Sequence, residues 1–300
     1  MTGPIDPKTL FCFGLGYSAR RLALDLAADG WRIIGTCRSA EACDALTADG
    51  FEMHRFDGEA PMPEITRPLA RATHVLVSIP PDADGDPVVR HHGDDIKAAQ
   101  ALTWVGYLST TGVYGDTEGA MVDEDSPLAP TSPRSERRVA AEAAWRALAP
   151  SVPVHVFRLA GIYGPGRSMF DRLRAGTAQR ILKPGHLFGR IHVDDIVQVL
   201  KASMARPEPA AVYNVCDDVP AAPADVVAKA AALLERVTPR LVPFDEAAKT
   251  MSPMALSFWR DNRRVDNRRI KESLGVDLLH PDFKTGLAAV LAEEKDAPAP

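Results

Sequence analysis

Apolar and polar positions along this chain fall in blocks. Short, nearly continuous apolar runs at Leu10–Phe13, Trp31–Thr36, Glu52–Phe56, His74–Ser78, Trp104–Leu108 and Val154–Leu159 are separated by stretches that include the helical patterns 41–49, 86–103 and 134–148. A strand buried on both faces reads as a continuous apolar run, and strands that alternate with helices build a parallel sheet covered on both sides. The pattern therefore predicts an α/β fold with a Rossmann-type, doubly wound parallel sheet. A short run at Tyr213–Val215 reads as a late strand returning to that sheet. The stretches 166–189 and 217–292 carry fewer strand signals and more Pro, Ala and Arg. They predict a smaller C-terminal lobe over the carboxyl ends of the strands, where ligands bind in such folds. The expected division is 1–165 plus 190–216 for the sheet domain and 166–189 plus 217–292 for the substrate lobe. The polar segment EEKDAPAP at 293–300 is expected to be a frayed tail.

The junction after the first apolar run carries the most chemistry. It reads Gly14-Leu15-Gly16-Tyr17-Ser18-Ala19 and leads into a helical stretch and then the second run. Gly14 allows a tight turn, Gly16 lets the backbone approach a pyrophosphate, and Ala19 keeps the helix close to the strand. The helix N-terminus adds N–H groups and a partial positive charge. This βαβ context predicts a dinucleotide seat. A site selective for NAD(H) usually ends its second strand on Asp or Glu, which accepts from the ribose 2′-hydroxyl. Here the segment is Thr36-Cys37-Arg38-Ser39, with no acid before Glu41. A guanidinium at Arg38, helped by Arg20, pairs well with a 2′-phosphate, so NADP(H) is favoured over NAD(H).

Composition narrows the partners. With 300 residues and 46% hydrophobic content, the chain can bury a full core. A formal charge of −5 argues against a general nucleic-acid binder, which needs a basic face. No apolar run reaches the roughly 18 residues of a membrane span. The segment MTGPIDPKTL has neither the basic start nor the apolar core of a signal peptide. The expectation is a cytoplasmic monomer or homodimer acting on a small molecule, with no nucleic-acid or membrane partner. Cys12, Cys37, Cys43 and Cys216 follow no metal-ligand spacing and read as reduced, mostly buried thiols. His91-His92 with Asp94 and Asp95 reads as a solvated helix face, and no metal site is expected. The basic run Arg260–Arg269 is largely balanced by Asp261 and Asp266.

Four later segments, taken together, resemble the extended branch of the short-chain dehydrogenase/reductase superfamily. They are Leu108-Ser-Thr-Thr-Gly-Val-Tyr-Gly115, Phe157-Arg-Leu-Ala-Gly-Ile-Tyr-Gly-Pro-Gly166, Arg190-Ile-His-Val-Asp-Asp195 and Val212-Tyr-Asn-Val215. The resemblance runs in order from about residue 9 to about residue 290. Closer still, the chain is similar to an atypical bacterial subgroup described as NAD(P)-dependent epimerase/dehydratase-like. That resemblance implies an oxidoreductase or epimerase acting on a small polar, sugar-like or anionic substrate. It also implies residue roles. Asp57 would bond the adenine amine, and Ser78, Ile79 and Pro80 would line the ribose and pyrophosphate. Thr110 would polarise a substrate carbonyl or hydroxyl, with Thr111 beside it in the substrate site.

One part of the pattern departs from the family. Its chemistry rests on Tyr-x-x-x-Lys at a helix start, where i and i+4 share a face and the ammonium lowers the tyrosine pKa. The corresponding stretch here is Ser132-Pro-Arg134-Ser-Glu-Arg-Arg138-Val-Ala-Ala-Glu142, which puts arginine at both positions. Arg138 can still donate to a nicotinamide ribose, but Arg134 cannot carry a proton near neutral pH. Three readings remain open. Tyr114, Tyr163 or His192 supplies the proton, or Arg134 binds an anionic substrate group, or turnover is lost and the protein is an NADP(H)-binding sensor or regulator. Against them stands a plain surface role for both arginines, with Arg138 paired to Glu142.

Overall fold

A computed structural model describes residues 7–208 and 210–296. Its contacts divide the chain into two compact units. One comprises the chain up to Thr110, Glu136–Arg158 and Leu200–Tyr213; the other comprises Thr111–Ser135, Leu159–Val199 and the chain from Asn214 onward.

The first unit is built on a seven-stranded sheet. We label its strands β1 (Thr9–Phe13), β2 (Arg32–Cys37), β3 (Glu52–Arg55), β4 (His74–Val77), β5 (Trp104–Thr110), β6 (Val154–Leu159) and β7 (Val212–Val215). Their order is β7-β6-β5-β4-β1-β2-β3, all parallel, so the chain winds outward from β1 in one direction and then returns to wind in the other. Every apolar run singled out in the sequence is a strand here, and β1, β4 and β6 are buried along their whole length. Burial on both faces is what makes such strands apolar without alternation. The core includes Phe11, Phe13, Val75, Val77, Tyr107, Trp145 and Val156.

Helix limits follow local chemistry. The helix Pro87–Ala98 begins where the Asp86 carboxylate accepts from the N–H groups of Val88 and Val89, with Pro87 needing no partner for its nitrogen. It stops earlier than the expected 103 because Ala99 turns to extended backbone at φ −76°, ψ 95°. The expected 41–49 and 134–148 are the helices Ala40–Ala48 and Pro133–Arg146.

The second unit contains three short parallel strand pairs: Gly161–Tyr163 with Arg190–His192, Arg180–Leu182 with Leu241–Pro243, and Met121–Val122 with Arg264–Val265. A separate core joins Phe170, Val226, Val227, Ala230, Phe283, Leu287 and Val290. This unit takes in 111–135, 159–165 and 190–199 beyond the stretches expected for the lobe, because short strands there pair with segments distant in sequence.

Two expectations need correction. Residues 293–296 of the expected frayed tail belong to the helix Phe283–Asp296, and 297–300 lie outside the described residues. Cys37 and Cys43 are not separate thiols: a disulfide joins them with Cα atoms 5.7 Å apart, while Cys12 and Cys216 are free and buried. The turn from strand β2 into the following helix brings their Cβ atoms together, which a metal-spacing test does not register. Among the described residues, no helix is long and apolar enough to cross a membrane.

Candidate functional site

Gly14 follows β1 with φ +83°, and a Cβ there would stand 2.9 Å from both Ile79 Cγ1 and Ser78 Oγ. Only glycine accepts both the left-handed backbone and that approach. The turn is tied on two sides. Ser78 Oγ donates to the Gly14 carbonyl at 2.6 Å, and Gly14 N–H donates to Thr36 Oγ1 at 2.8 Å. Leu15 N–H donates to the Thr36 carbonyl at 3.0 Å. Strands β1, β2 and β4 thus share one turn, with Leu15 buried beneath it and Ile79 packed across it. Thr36 was not among the expected site residues; its hydroxyl sits at the last apolar position of a strand, where the pattern registers only burial.

Gly16 is the N-cap of the helix Tyr17–Ala28 and supplies no side-chain cap. A Cβ on Gly16 would meet nothing within 4 Å, so the space beside it is open. Tyr17 is half-buried at the helix start, whereas Ser18 and Ala19 are buried, Ala19 completely. An exposed N-cap glycine beside the first helical turn offers N–H donors and a positive dipole end to an anion. These features fit a pyrophosphate, and Gly14–Ala19 would hold it with Ser78 and Ile79 behind them. Pro80 is exposed at the end of the same segment.

Arg38 is exposed just past β2, between Cys37 and the N-cap residue Ser39, whose hydroxyl accepts from Ala42 N–H. The disulfide fastens both ends of this short segment. Arg20 pairs with Asp49 at 2.7 Å, which engages it away from the role expected beside Arg38. Arg55, absent from the sequence-based set, is the register partner of Cys37 on β3 and is exposed. Asp57 accepts from Glu59 N–H at 3.1 Å and lies 3.4 Å from Arg55, so it also closes its own turn.

A buried polar network stands behind β5. Arg138 Nη1 donates to Tyr107 Oη at 2.9 Å and to the Leu108 carbonyl at 2.8 Å, with its guanidinium 5.6 Å from the Tyr107 ring centroid. Burial raises the Tyr107 hydroxyl pKa. Glu142, at the position that would pair with Arg138 along the helix, instead accepts from Arg158 at 2.9 Å and from Ser109 Oγ at 2.5 Å. Both members of the Arg158–Glu142 pair have side chains only 3% exposed. Asp86 is buried too, and its carboxyl is pushed upward by burial despite the nearby Arg138 charge. Arg138 is therefore part of the wall rather than a surface charge. Thr110 ends β5 half-buried.

The remaining candidates belong to the second unit. Thr111 opens a short 3₁₀ turn, Thr111–Tyr114, and is buried. Tyr114 Oη donates to Asn214 Oδ1 at 2.7 Å in a buried contact, which fixes the ring as a brace between two of the motif segments. Arg134 is exposed in the first turn of its helix. Tyr163 is buried against Gly286 and packs edge-on to His192, with ring centroids 5.2 Å apart; burial raises its hydroxyl pKa. His192 is 1% exposed, and its Nδ1 accepts from Asp194 N–H at 3.2 Å. In the first unit, His92, expected on a solvated face, is buried instead: it accepts from Met62 N–H at 3.0 Å and stacks on Phe13.

Comparison with known proteins agrees with this architecture. The chain is 26% identical over 294 residues to Protein YeeZ of Escherichia coli K12, covering 92% of this chain and 97% of that protein. A solved structure of a conserved, functionally unknown protein from Silicibacter pomeroyi DSS is 53% identical, with a TM-score of 0.88, covering 95% of this chain and 99% of the other. MoeE5 in complex with UDP-glucose and NAD shares the fold at 20% identity and a TM-score of 0.74, covering 96% and 98% of the two chains. Residues 96–216 match the model of the NAD dependent epimerase/dehydratase family. The parallel sheet and the glycine turn agree with that match, which covers the middle of the chain.

Proposed function

We propose that this protein is an NAD(P)-dependent oxidoreductase or epimerase-like enzyme for a small polar, sugar-like or anionic substrate, and that it favours NADP(H). The observation that carries the proposal is the Gly14–Ala19 turn: a left-handed glycine clamped by Thr36 and Ser78, followed by an open N-cap glycine. MoeE5 was solved with UDP-glucose and NAD, which supports a nucleotide-sugar class of substrate here. Arg38 supplies a planar fork for a 2′-phosphate, and the absence of an acid between Thr36 and Glu41 removes the usual reader of a 2′-hydroxyl. Asp57 and Pro80 would flank the adenosine. A bound nicotinamide supplies or accepts hydride.

The chain's own residues then orient and polarise. Thr110, at the carboxyl end of β5, donates to the reacting oxygen of the substrate. Arg138 stabilises negative charge beside that strand end, and the exposed Arg134 takes an anionic substrate group. Neither arginine gives up a proton at neutral pH, so proton exchange falls to another group or to water.

A second reading is favoured by one set of observations. In the register that the resemblance implies, arginine stands at both positions of the Tyr-x-x-x-Lys pair, while Tyr114 is locked to Asn214 and Tyr163 and His192 are buried. In that reading the protein binds NADP(H) as a sensor without turnover. Nicotinamide absorbance measured with keto sugars, keto acids and aldehydes separates the two. Cofactor oxidation with any of them establishes the enzyme; tight NADPH binding with no turnover establishes the sensor.

A further inference from the structure

Within the second unit, three metal-binding side chains converge from segments far apart in sequence. His192 ends the strand Arg190–His192, Asp194 lies in the first turn of the helix Val193–Ala205, and His280 lies in the segment before the helix Phe283–Asp296. One donor atom from each falls within 4.8 Å of the other two. His192 Nδ1 is 3.6 Å from Asp194 Oδ2, and the two imidazole rings cross at 61° with centroids 4.1 Å apart.

The position of His280 is built rather than incidental. Asp195, fully buried, accepts from Leu279 N–H at 2.6 Å and from His280 N–H at 3.2 Å. The same turn that presents Asp194 therefore holds the backbone that presents His280. His192 Nδ1 accepts from Asp194 N–H at 3.2 Å, a hydrogen bond that a metal bound at that nitrogen would replace.

We propose that His192, Asp194 and His280 form a binding site for a divalent transition metal of the zinc class, with three protein ligands and an outward position for water. Two imidazoles and a carboxylate are borderline donors that suit Zn²⁺, Co²⁺ or Fe²⁺, whereas Mg²⁺ and Ca²⁺ take oxygen ligands. Bonds of roughly 2.0–2.2 Å place neighbouring donors of a tetrahedral ion about 3.3–3.6 Å apart. The His192–Asp194 distance already meets that value. Closing the widest separation takes a shift of up to about 1.5 Å, within reach of the half-buried His280 ring. Asp194 keeps 25% of its side chain exposed, which leaves a path for the ion and for water. Binding there would tie the 279–280 segment to the strand–helix junction. It is independent of the dinucleotide turn, which lies in the other unit.

The test uses the untagged full chain, stripped with a chelator and dialysed, then titrated with Co²⁺ and Zn²⁺. The expected result is one ion per chain, a visible d–d absorption band for Co²⁺, and a raised melting temperature with either metal. His280→Ala and Asp194→Asn should each weaken binding by at least about tenfold, since even outer partners of metal ligands cost that much. Circular dichroism of each variant shows that it remains folded, and either variant alone suffices. Absence of saturable binding to the native chain overturns the proposal. So does binding that survives both substitutions, which would place the metal elsewhere.

Discussion

Replacing Gly16 with alanine separates the fold from the ligand more cleanly than any other change in this protein. Gly16 sits at φ −82°, ψ −168°, extended backbone that alanine adopts without strain. Its added Cβ would find no atom of the protein within 4 Å. In the folded chain the substitution should cost little, about 0.5–1 kcal/mol, because alanine is a poorer N-cap than glycine while an unstrained Gly→Ala change also restricts the unfolded chain. The melting temperature should move by no more than about 2 °C. The methyl group would nevertheless occupy the open side of the helix N-terminus, where the pyrophosphate is placed. Losing a charge-assisted hydrogen bond there costs roughly 1.5–3 kcal/mol, which is about a tenfold to hundredfold loss of affinity. Titration calorimetry with NADPH and NADH, beside a thermal melt, reads both quantities. Gly14→Ala is the contrasting control. Its left-handed backbone and 2.9 Å contacts predict a lowered melting temperature even without ligand. Gly16→Ala protein that binds NADPH as tightly as the native chain would refute the placement of the pyrophosphate.

Other consequences can be checked directly. NADPH should bind more tightly than NADH, and Arg38→Ala should erase that preference while leaving NADH affinity nearly unchanged; calorimetry showing NADH preferred by the native chain would count against the Arg38 reading. Unfolded protein kept free of reductant should titrate with two thiols, Cys12 and Cys216, and with four after reduction of the Cys37–Cys43 bond. Asp217 is buried and its carboxyl is pushed up to about 8 by desolvation. A carboxyl raised in the folded state favours folding fully below its unfolded value near 3.8 and loses that contribution as pH climbs toward 8. Asp217→Asn should thus melt higher than the native protein at pH 8 and about equally at pH 4, and an unchanged difference between the two pH values would disprove the buried acid.

The sheet was legible because its physical cause acts locally. A strand buried on both faces must be apolar throughout, so His74–Val77 and Val154–Leu159 announce themselves residue by residue. The Gly14 turn was legible for a related reason, since its left-handed backbone restricts the residue type. What escaped depends on distant segments. The pair Met121–Val122 with Arg264–Val265 spans two residues on each side, too short for any period to show. Thr36 and Arg55 gain their places from strand register with β1 and β2, which no single segment encodes. His92 misled because its neighbours His91, Asp94 and Asp95 are polar, while the Met62 N–H and the Phe13 ring that enclose it come from other elements. His280 was passed over for the same reason, lying far along the chain from His192 and Asp194.

The arrangement around Arg138 bears on what the two arginines at 134 and 138 do. A buried guanidinium needs fixed acceptors, and this one has the Tyr107 hydroxyl, the Leu108 carbonyl and the Tyr107 ring face. The charge is not isolated, because Asp86 acts on the same region and Glu142, one turn further along the helix, pairs with Arg158 of β6. Removing one member of such a buried pair costs roughly 3–5 kcal/mol, so these charges constrain one another strongly. Arg134, one turn earlier, carries no such constraint and stays exposed. The two arginines are therefore physically different. Arg138 is built into the strand wall behind the proposed site, whereas Arg134 is a charge presented outward, and only the second has the freedom to meet a varying anionic group.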